Sequence, residues 1–168
     1  TAEDAIDYRK NYFNNLRNLE FNQDVTNAVT NAALTTAYEV GAKAIITVTE
    51  TGYTARMLSK MRPDMPILAI TSQDEVIRQL AMNWGVLPIK GVEYGTLDEI
   101  QEEVVKLALT SGVVENGDIV IIVAGVPVGI AGATNLIKVE IVGNVLVKGD
   151  SVTKGRNQGR ICLANNPE

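Results

Sequence analysis

Three hydroxyls and a glycine stand within six residues in the run TETGYT, Thr49 to Thr54. The run lies where a short apolar segment gives way to an amphipathic one, so it reads as a strand ending in the first turn of a helix. Unpaired backbone N–H groups and the helix dipole make such a turn a place for an anion, above all a phosphate. Thr49, Thr51 and Thr54 offer hydroxyl donors, and Gly52 and Tyr53 offer N–H groups. Gly52 lets the backbone come close to a ligand, and the Tyr53 ring can stack on or bond a sugar or base. Glu50 lies inside the run and must point away from any phosphate. The competing explanation is N-capping alone, but one cap needs one hydroxyl and the run holds three. A second glycine-rich run, GVPVGIAG from Gly125 to Gly132, follows another apolar segment.

Other chemistries find less support. The glycines Gly125, Gly129 and Gly132 are spaced GxxxGxxG rather than GxGxxG, and the run leads into a strand-like segment, which argues against a dinucleotide fingerprint. No lysine follows them as a phosphate loop requires. The pairs Asp98-Glu99 and Glu102-Glu103 read as a solvated helix face. The chain has 168 residues and no histidine, which removes the commonest general base and nitrogen metal ligand. Cys162 is the single cysteine, so no internal disulfide forms, in keeping with a cytoplasmic protein. A net charge of −5 argues against a broad nucleic-acid surface. No opening segment reads as a signal peptide, and no apolar run reaches the roughly 18 residues of a membrane span.

The elements that must position the run alternate in type. Thr1 to Leu19 reads as a helix with a partial apolar face of Ala5, Ile6, Tyr12, Phe13, Leu16 and Leu19, which suits a connecting helix packed on something outside this chain. Asp24 to Val40 reads as a helix with a stripe of Val25, Ala28, Val29, Ala32, Ala33, Ala37 and Val40, stopped by Gly41. Strands are predicted at Ala44–Val48, Ile67–Ile70, Gly85–Ile89, Ile119–Val123 and Leu136–Val142. Pro88 puts the third at a sheet edge, and the apolar IVIIV segment suggests a central fourth. Helices fill the gaps, one from the TETGYT run to Met61, one after a Ser72/Glu75 capping box with a face running to Trp84, and one from Thr96/Glu99 to Gly112. Such alternation implies a mostly parallel sheet with helices on both faces. The loop before the fifth strand is too short for a crossover helix, so that strand should run antiparallel. The fold class is therefore α/β, a three-layer α/β/α sandwich around a five-stranded sheet. Asn144 to Glu168 is polar, basic and glycine-rich, like a tail or the beginning of another unit.

Three stretches, AIITVTETGYTARMLSKMRPDMPILAIT, QLAMNWGV and GDIVIIVAGVPVGIAGATNLIKV, resemble the C-terminal regulatory domain of pyruvate kinase. The resemblance runs from about Phe21 to Gly143. It implies a division into a linking helix from a catalytic barrel (1–20), the α/β domain (21–143) and a tail (144–168). That tail, LVKGDSVTKGRNQGRICLA, resembles the start of an extra C-terminal extension carried by some bacterial members. In the family, the catalytic residues and the Mg²⁺ and K⁺ ligands belong to the barrel. This sequence contains no barrel, so no catalytic residue carries over. The resemblance implies phosphoryl transfer from phosphoenolpyruvate to ADP for a parent enzyme and no activity for this chain alone.

It also implies partners: the parent's own barrel, a homotetramer, and a phosphorylated effector. By resemblance, Thr49, Thr51, Gly52, Tyr53 and Thr54 hold the effector phosphate, and the loop containing Val126, Pro127, Gly129 and Gly132 closes over it. Two departures bear on the ligand. Glu50 stands where fructose-bisphosphate-activated animal forms carry a lysine, and would repel a second phosphate. The tryptophan and arginine that grip that phosphate would fall near Val92 to Gln101, where neither type occurs. A monophosphate such as AMP or ribose 5-phosphate fits better. Two other readings stay open: a stand-alone phosphometabolite-binding protein of the same fold, and a structural assembly domain with a vestigial site.

Overall fold

A computed structural model describes residues 6–16, 24–91, 97–125 and 134–143 of the chain. Among the described residues, five helices and five strands follow one another as α1 (Tyr8–Leu16), α2 (Val25–Val40), β1 (Ala44–Val48), α3 (Tyr53–Lys60), β2 (Ile67–Thr71), α4 (Asp74–Leu80), β3 (Val86–Lys90), α5 (Leu97–Thr110), β4 (Ile119–Gly125) and β5 (Thr134–Ile141). The sheet order is β3-β2-β1-β4-β5. Four strands are parallel and β5 runs antiparallel to β4, as its short connection requires. Pro88 sits on the edge strand β3, where its missing N–H costs no ladder bond. The middle of the sheet is held by β1; β4 lies beside it, with β5 outside.

Right-handed crossovers dictate the layers. The chain steps β1→β2→β3 in one direction, so α3 and α4 share a face. It then returns across the sheet to β4, which puts α5 on the other. The apolar contacts agree. One core joins Leu34, Tyr38, Leu58 and Leu80 to Ile45, Ile67 and Ile121. The opposite core joins Val104 and Ala108 of α5 to Ile46, Leu68, Ile70 and Ile122. Gln101 of α5 ties the same face to β5 through Lys138 and Glu140.

The buried face of α2 keeps Ala33 and Ala37 of the expected stripe, with Val29 packed beside them, and departs from it elsewhere. Thr26, Thr30, Ala33, Leu34, Ala37 and Tyr38 are buried, whereas Val25, Ala28 and Ala32 are exposed. Leu34 and Tyr38 carry more apolar area than the alanines and valines they displace. Threonine tolerates burial because its hydroxyl finds a carbonyl one turn back, as in Thr30 Oγ1 to Thr26 O at 2.8 Å. Asp24 caps the helix by accepting from the Thr26 N–H, and Gly41 ends it in the left-handed conformation at φ 65°.

Two further expectations change. Tyr12 of α1 docks on this domain itself: it is buried, and its hydroxyl lies 2.9 Å from the Asn31 carbonyl and 3.1 Å from Thr35 Oγ1. Tyr8 meets Trp84 with ring centroids 5.3 Å apart. The Ser72/Glu75 capping box does not form. Gln73 takes the cap position without a side-chain cap bond, and Glu75 is engaged forward by Gln79 at 3.2 Å. The helix also ends at Leu80 rather than extending to Trp84. The ends of the helix expected from Thr1 to Leu19, the Thr96/Glu99 box, the glycine loop 126–133 and the tail 144–168 lie outside the described residues.

Burial of the Tyr12–Tyr38 pair has a consequence in solution. Loss of hydration for the phenolate pushes the Tyr38 phenol up to about 12 and that of Tyr12 in the same direction. A folded-state value above the unfolded one stabilises the fold fully below the ordinary tyrosine range. That contribution is lost as pH rises from about 10 toward 12. Urea unfolding of the wild type should show a steeper stability loss across this window than Tyr38→Phe does; parallel curves would contradict the assignment.

Candidate functional site

Position in the sheet comes first. Successive strands β1, β2 and β3 progress one way from β1, and β4 lies on its other side. The carboxyl ends of β1 and β4 are therefore the topological switch point, where loops diverge and open a crevice. Thr49 to Thr54 leaves β1 there. Gly125 ends β4 at the same edge, and Thr134 pairs with it to begin β5. Thr54 Oγ1 lies 2.7 Å from Thr134 Oγ1, in a contact where both side chains are 5% exposed. Both ends of the segment 126–133 are thus fixed beside the start of α3. Its members Val126, Pro127, Gly129 and Gly132 fall outside the described residues.

The turn into α3 is built by Gly52. It caps the helix at φ 75°, ψ 3°, a conformation that L side chains disfavour. A Cβ at this position would meet Arg56 Nη1 at 2.9 Å, Val76 Cγ1 at 3.0 Å and Leu80 Cδ2 at 3.1 Å. The Gly52 N–H donates to Thr49 Oγ1 at 3.0 Å, and the Gly52 carbonyl receives the Arg56 N–H at 3.0 Å. The Thr49 N–H itself donates to the Ile70 carbonyl, continuing the ladder from β1 to β2.

The five expected phosphate-binding residues therefore differ in circumstance. Thr49 is buried and holds the turn. Thr54 is buried and paired with Thr134. Thr51 is exposed. Tyr53 is partly exposed, and its hydroxyl donates to Asp24 Oδ2 at 3.4 Å, tying the loop to the cap of α2. Gly52 spends its N–H on Thr49. The following N–H groups, those of Tyr53 and Thr54, belong to the first turn, where no helical carbonyl precedes them. Glu50 is exposed.

Arg56 is a residue that the motif reading passed over. Its Nη2 donates to the Thr51 carbonyl at 3.0 Å, so the guanidinium folds back over the loop. The signal was present in sequence: a cation in the first turn of a helix opposes the dipole, which makes sense beside a bound anion or a loop carbonyl. Upstream, Thr47 is fully buried, and its hydroxyl has no hydrogen-bond partner among the described residues. No group of three or more potential metal ligands occurs among the described residues. No helix among them is long and apolar enough to cross a membrane.

The family model described as pyruvate kinase, alpha/beta domain, matches residues 27–140, a span that includes the start of α3 and the β4–β5 junction. The chain belongs to the pyruvate kinase α/β domain family. It is 42% identical over 166 residues to a pyruvate kinase of Sporosarcina psychrophila, covering 99% of this chain and 28% of that protein. A pyruvate kinase of Lactobacillus delbrueckii subsp. bulgaricus is 44% identical over 145 residues, covering 86% of this chain and 25% of that one. A third, from Bacillus licheniformis, is 37% identical over 167 residues, with 99% and 28% covered. The chain thus spans about a quarter of the length of these relatives and fits the C-terminal domain of pyruvate kinase.

Within this pyruvate kinase domain, Gly52 provides a direct test of the turn. Gly85 has a similar φ of 67°, but nothing lies within 4 Å of a Cβ built there. Gly85→Ala should cost about 1 kcal/mol from backbone strain alone, and Gly52→Ala about 2–4 kcal/mol because strain and overlap add. Equal urea midpoints for the two variants would refute this account of the turn.

Proposed function

We propose that this chain is the regulatory and oligomerisation domain of a pyruvate kinase, and that the start of α3 binds a phosphorylated monoanionic or dianionic effector such as AMP or a sugar monophosphate. Occupancy would tune phosphoryl transfer from phosphoenolpyruvate to ADP in the parent glycolytic enzyme. The catalytic barrel of that parent would hold Mg²⁺ and K⁺. In this reading residues 1–20 link to the barrel, 21–143 form the sensor and 144–168 begin a further extension.

The observation that carries the proposal is the coincidence of a topological switch point with a helix N-terminus lined by Thr49, Thr51 and Thr54. The Thr51 and Thr54 hydroxyls and the Tyr53 and Thr54 N–H groups would meet the phosphate, with Arg56 as a nearby cation and Val126, Pro127, Gly129 and Gly132 in the covering loop. Exposed Glu50 would disfavour a second phosphate by charge repulsion. One observation favours the structural-domain reading instead: Thr49 and Thr54 already have partners within the protein.

Titration separates the two. Charge-assisted hydrogen bonds contribute about 1.5–3 kcal/mol, so Thr51→Ala or Thr54→Ala should weaken AMP or ribose 5-phosphate binding by about tenfold to a hundredfold. Glu50→Lys should improve fructose bisphosphate relative to AMP. Calorimetry showing no phosphate compound bound at millimolar concentration would leave the structural reading in its place.

Self-association is the other half of the proposal. β5 forms a sheet edge, and Val139 and Ile141 on it are exposed. An edge strand with apolar side chains is a template for pairing. Sedimentation should detect at least dimers at high protein concentration, diminished by Ile141→Lys. A monomer at every concentration would count against an assembly role.

A further inference from the structure

Backbone hydrogen bonds fix the phase of β5. Val142 donates its N–H to the Asp118 carbonyl and accepts from the Gly117 N–H, so its main-chain groups point toward β4. The Ile119 carbonyl accepts from the Lys43 N–H, so Ile119 points toward β1 and away from Ile141, its partner in the register. Ladder pairs alternate along an antiparallel strand. Glu140 and Lys138 therefore bond to β4 through Val120 and Ile122. The N–H and C=O groups of Ile137, Val139 and Ile141 point outward, along the edge of the described sheet. Side chains alternate as well. Val139 and Ile141 are exposed, and Ile137 packs against the core on the α2 side. Lys138 and Glu140 lie on the α5 side, 3.2 Å apart, and both bond to Gln101.

A second β5 can meet this edge antiparallel about a two-fold axis, and charge decides where the axis falls. Centred on Lys138, lysine opposes lysine; centred on Glu140, carboxylate opposes carboxylate. Both would be non-hydrogen-bonded pairs, with Cα atoms about 4.5 Å apart, where like charges destabilise. Centred on Val139, each Lys138 faces the partner's Glu140, Ile137 meets the partner's Ile141, and Val139 meets its own copy. The segment Ile137–Ile141 is thus complementary to itself, as a two-fold contact between identical chains requires. We propose that β5 pairs with β5 of a second copy of this chain in the register centred on Val139, joining the two sheets into one. The inference rests on the self-association reading above; it adds the register and the Lys138–Glu140 pairs that select it.

The test is sedimentation equilibrium of the 168-residue chain and its charge variants. Lys138→Glu and Glu140→Lys should each weaken the dimer by about tenfold or more, because two attractive cross-strand pairs become repulsive. Mixed in equal amounts, the two variants should associate about tenfold more tightly than either does alone, since every lysine again faces a glutamate. Misfolded variants could not recover in this way. Oxidation reads the register directly. In a Cys162→Ser background, Val139→Cys should crosslink to itself, because residues paired on the axis lie within disulfide reach. Ile141→Cys should crosslink only when mixed with Ile137→Cys. Wild-type dimers that ignore both charge changes, or variants that fail to recover on mixing, overturn the proposed register and leave self-association to another surface. Self-crosslinking of Ile141→Cys overturns it too. A wild type that stays monomeric at every concentration removes the self-association reading and this inference together.

Discussion

β1 is hydrogen-bonded along both edges, to β2 and to β4, and packed by apolar side chains on both faces. Its backbone has no freedom to shift, so the chain must leave it at a fixed point and reverse into α3 within a few residues. Gly52 makes that reversal possible. A left-handed residue in van der Waals reach of Val76 and Leu80 admits no side chain, and Thr49 then closes the turn with one hydrogen bond. The direction of α3, its packing through Ala55 and Leu58, and the aim of its first N–H groups follow from this turn.

The same constraint explains why polar residues are tolerated in the interior nearby. Thr49 and Thr71 are buried at the carboxyl ends of β1 and β2, and Thr54 at the start of α3 and Thr134 at the start of β5 are buried beside them, where ladder hydrogen bonding stops and backbone groups need partners. Hydroxyls supply them locally, as Thr71 does for the Gln73 N–H. A rim of buried threonines is thus the price of ending several strands at one level, and it leaves short, rotatable donors around the switch point. Recruiting such donors to an anion requires little rearrangement, since each hydroxyl can donate and accept at once.

Links between elements run outward from this rim. Tyr53 reaches Asp24, which also caps α2, and Thr54 reaches β5. The helix that α1 docks on and the strand that forms one sheet edge are therefore each one side chain away from the start of α3. In a pyruvate kinase domain whose proposed role is to report ligand occupancy to its neighbours, these two contacts are direct physical routes among the described residues.

Local chemistry in the sequence determined a good deal. Apolar runs such as AIITV, ILAI and IVIIV marked strands buried on both faces, Gly41 and Gly112 marked helix ends, and the short connection to Leu136 required an antiparallel last strand, because these features depend on neighbours in the chain. The TETGYT run was legible as a helix start for the same reason. Other features depended on groups far apart in sequence. α2 buries Ala33 and Ala37 of the small-residue stripe, but the fit of Leu34 and Tyr38 against the sheet turned Val25, Ala28 and Ala32 outward. Pairing of Thr54 with Thr134 arose only when the sheet order set β4 beside β1 and so brought the start of β5 to the end of β1. Spacing along a chain fixes what a turn or a strand can be, whereas packing fixes which hydroxyls have already been used.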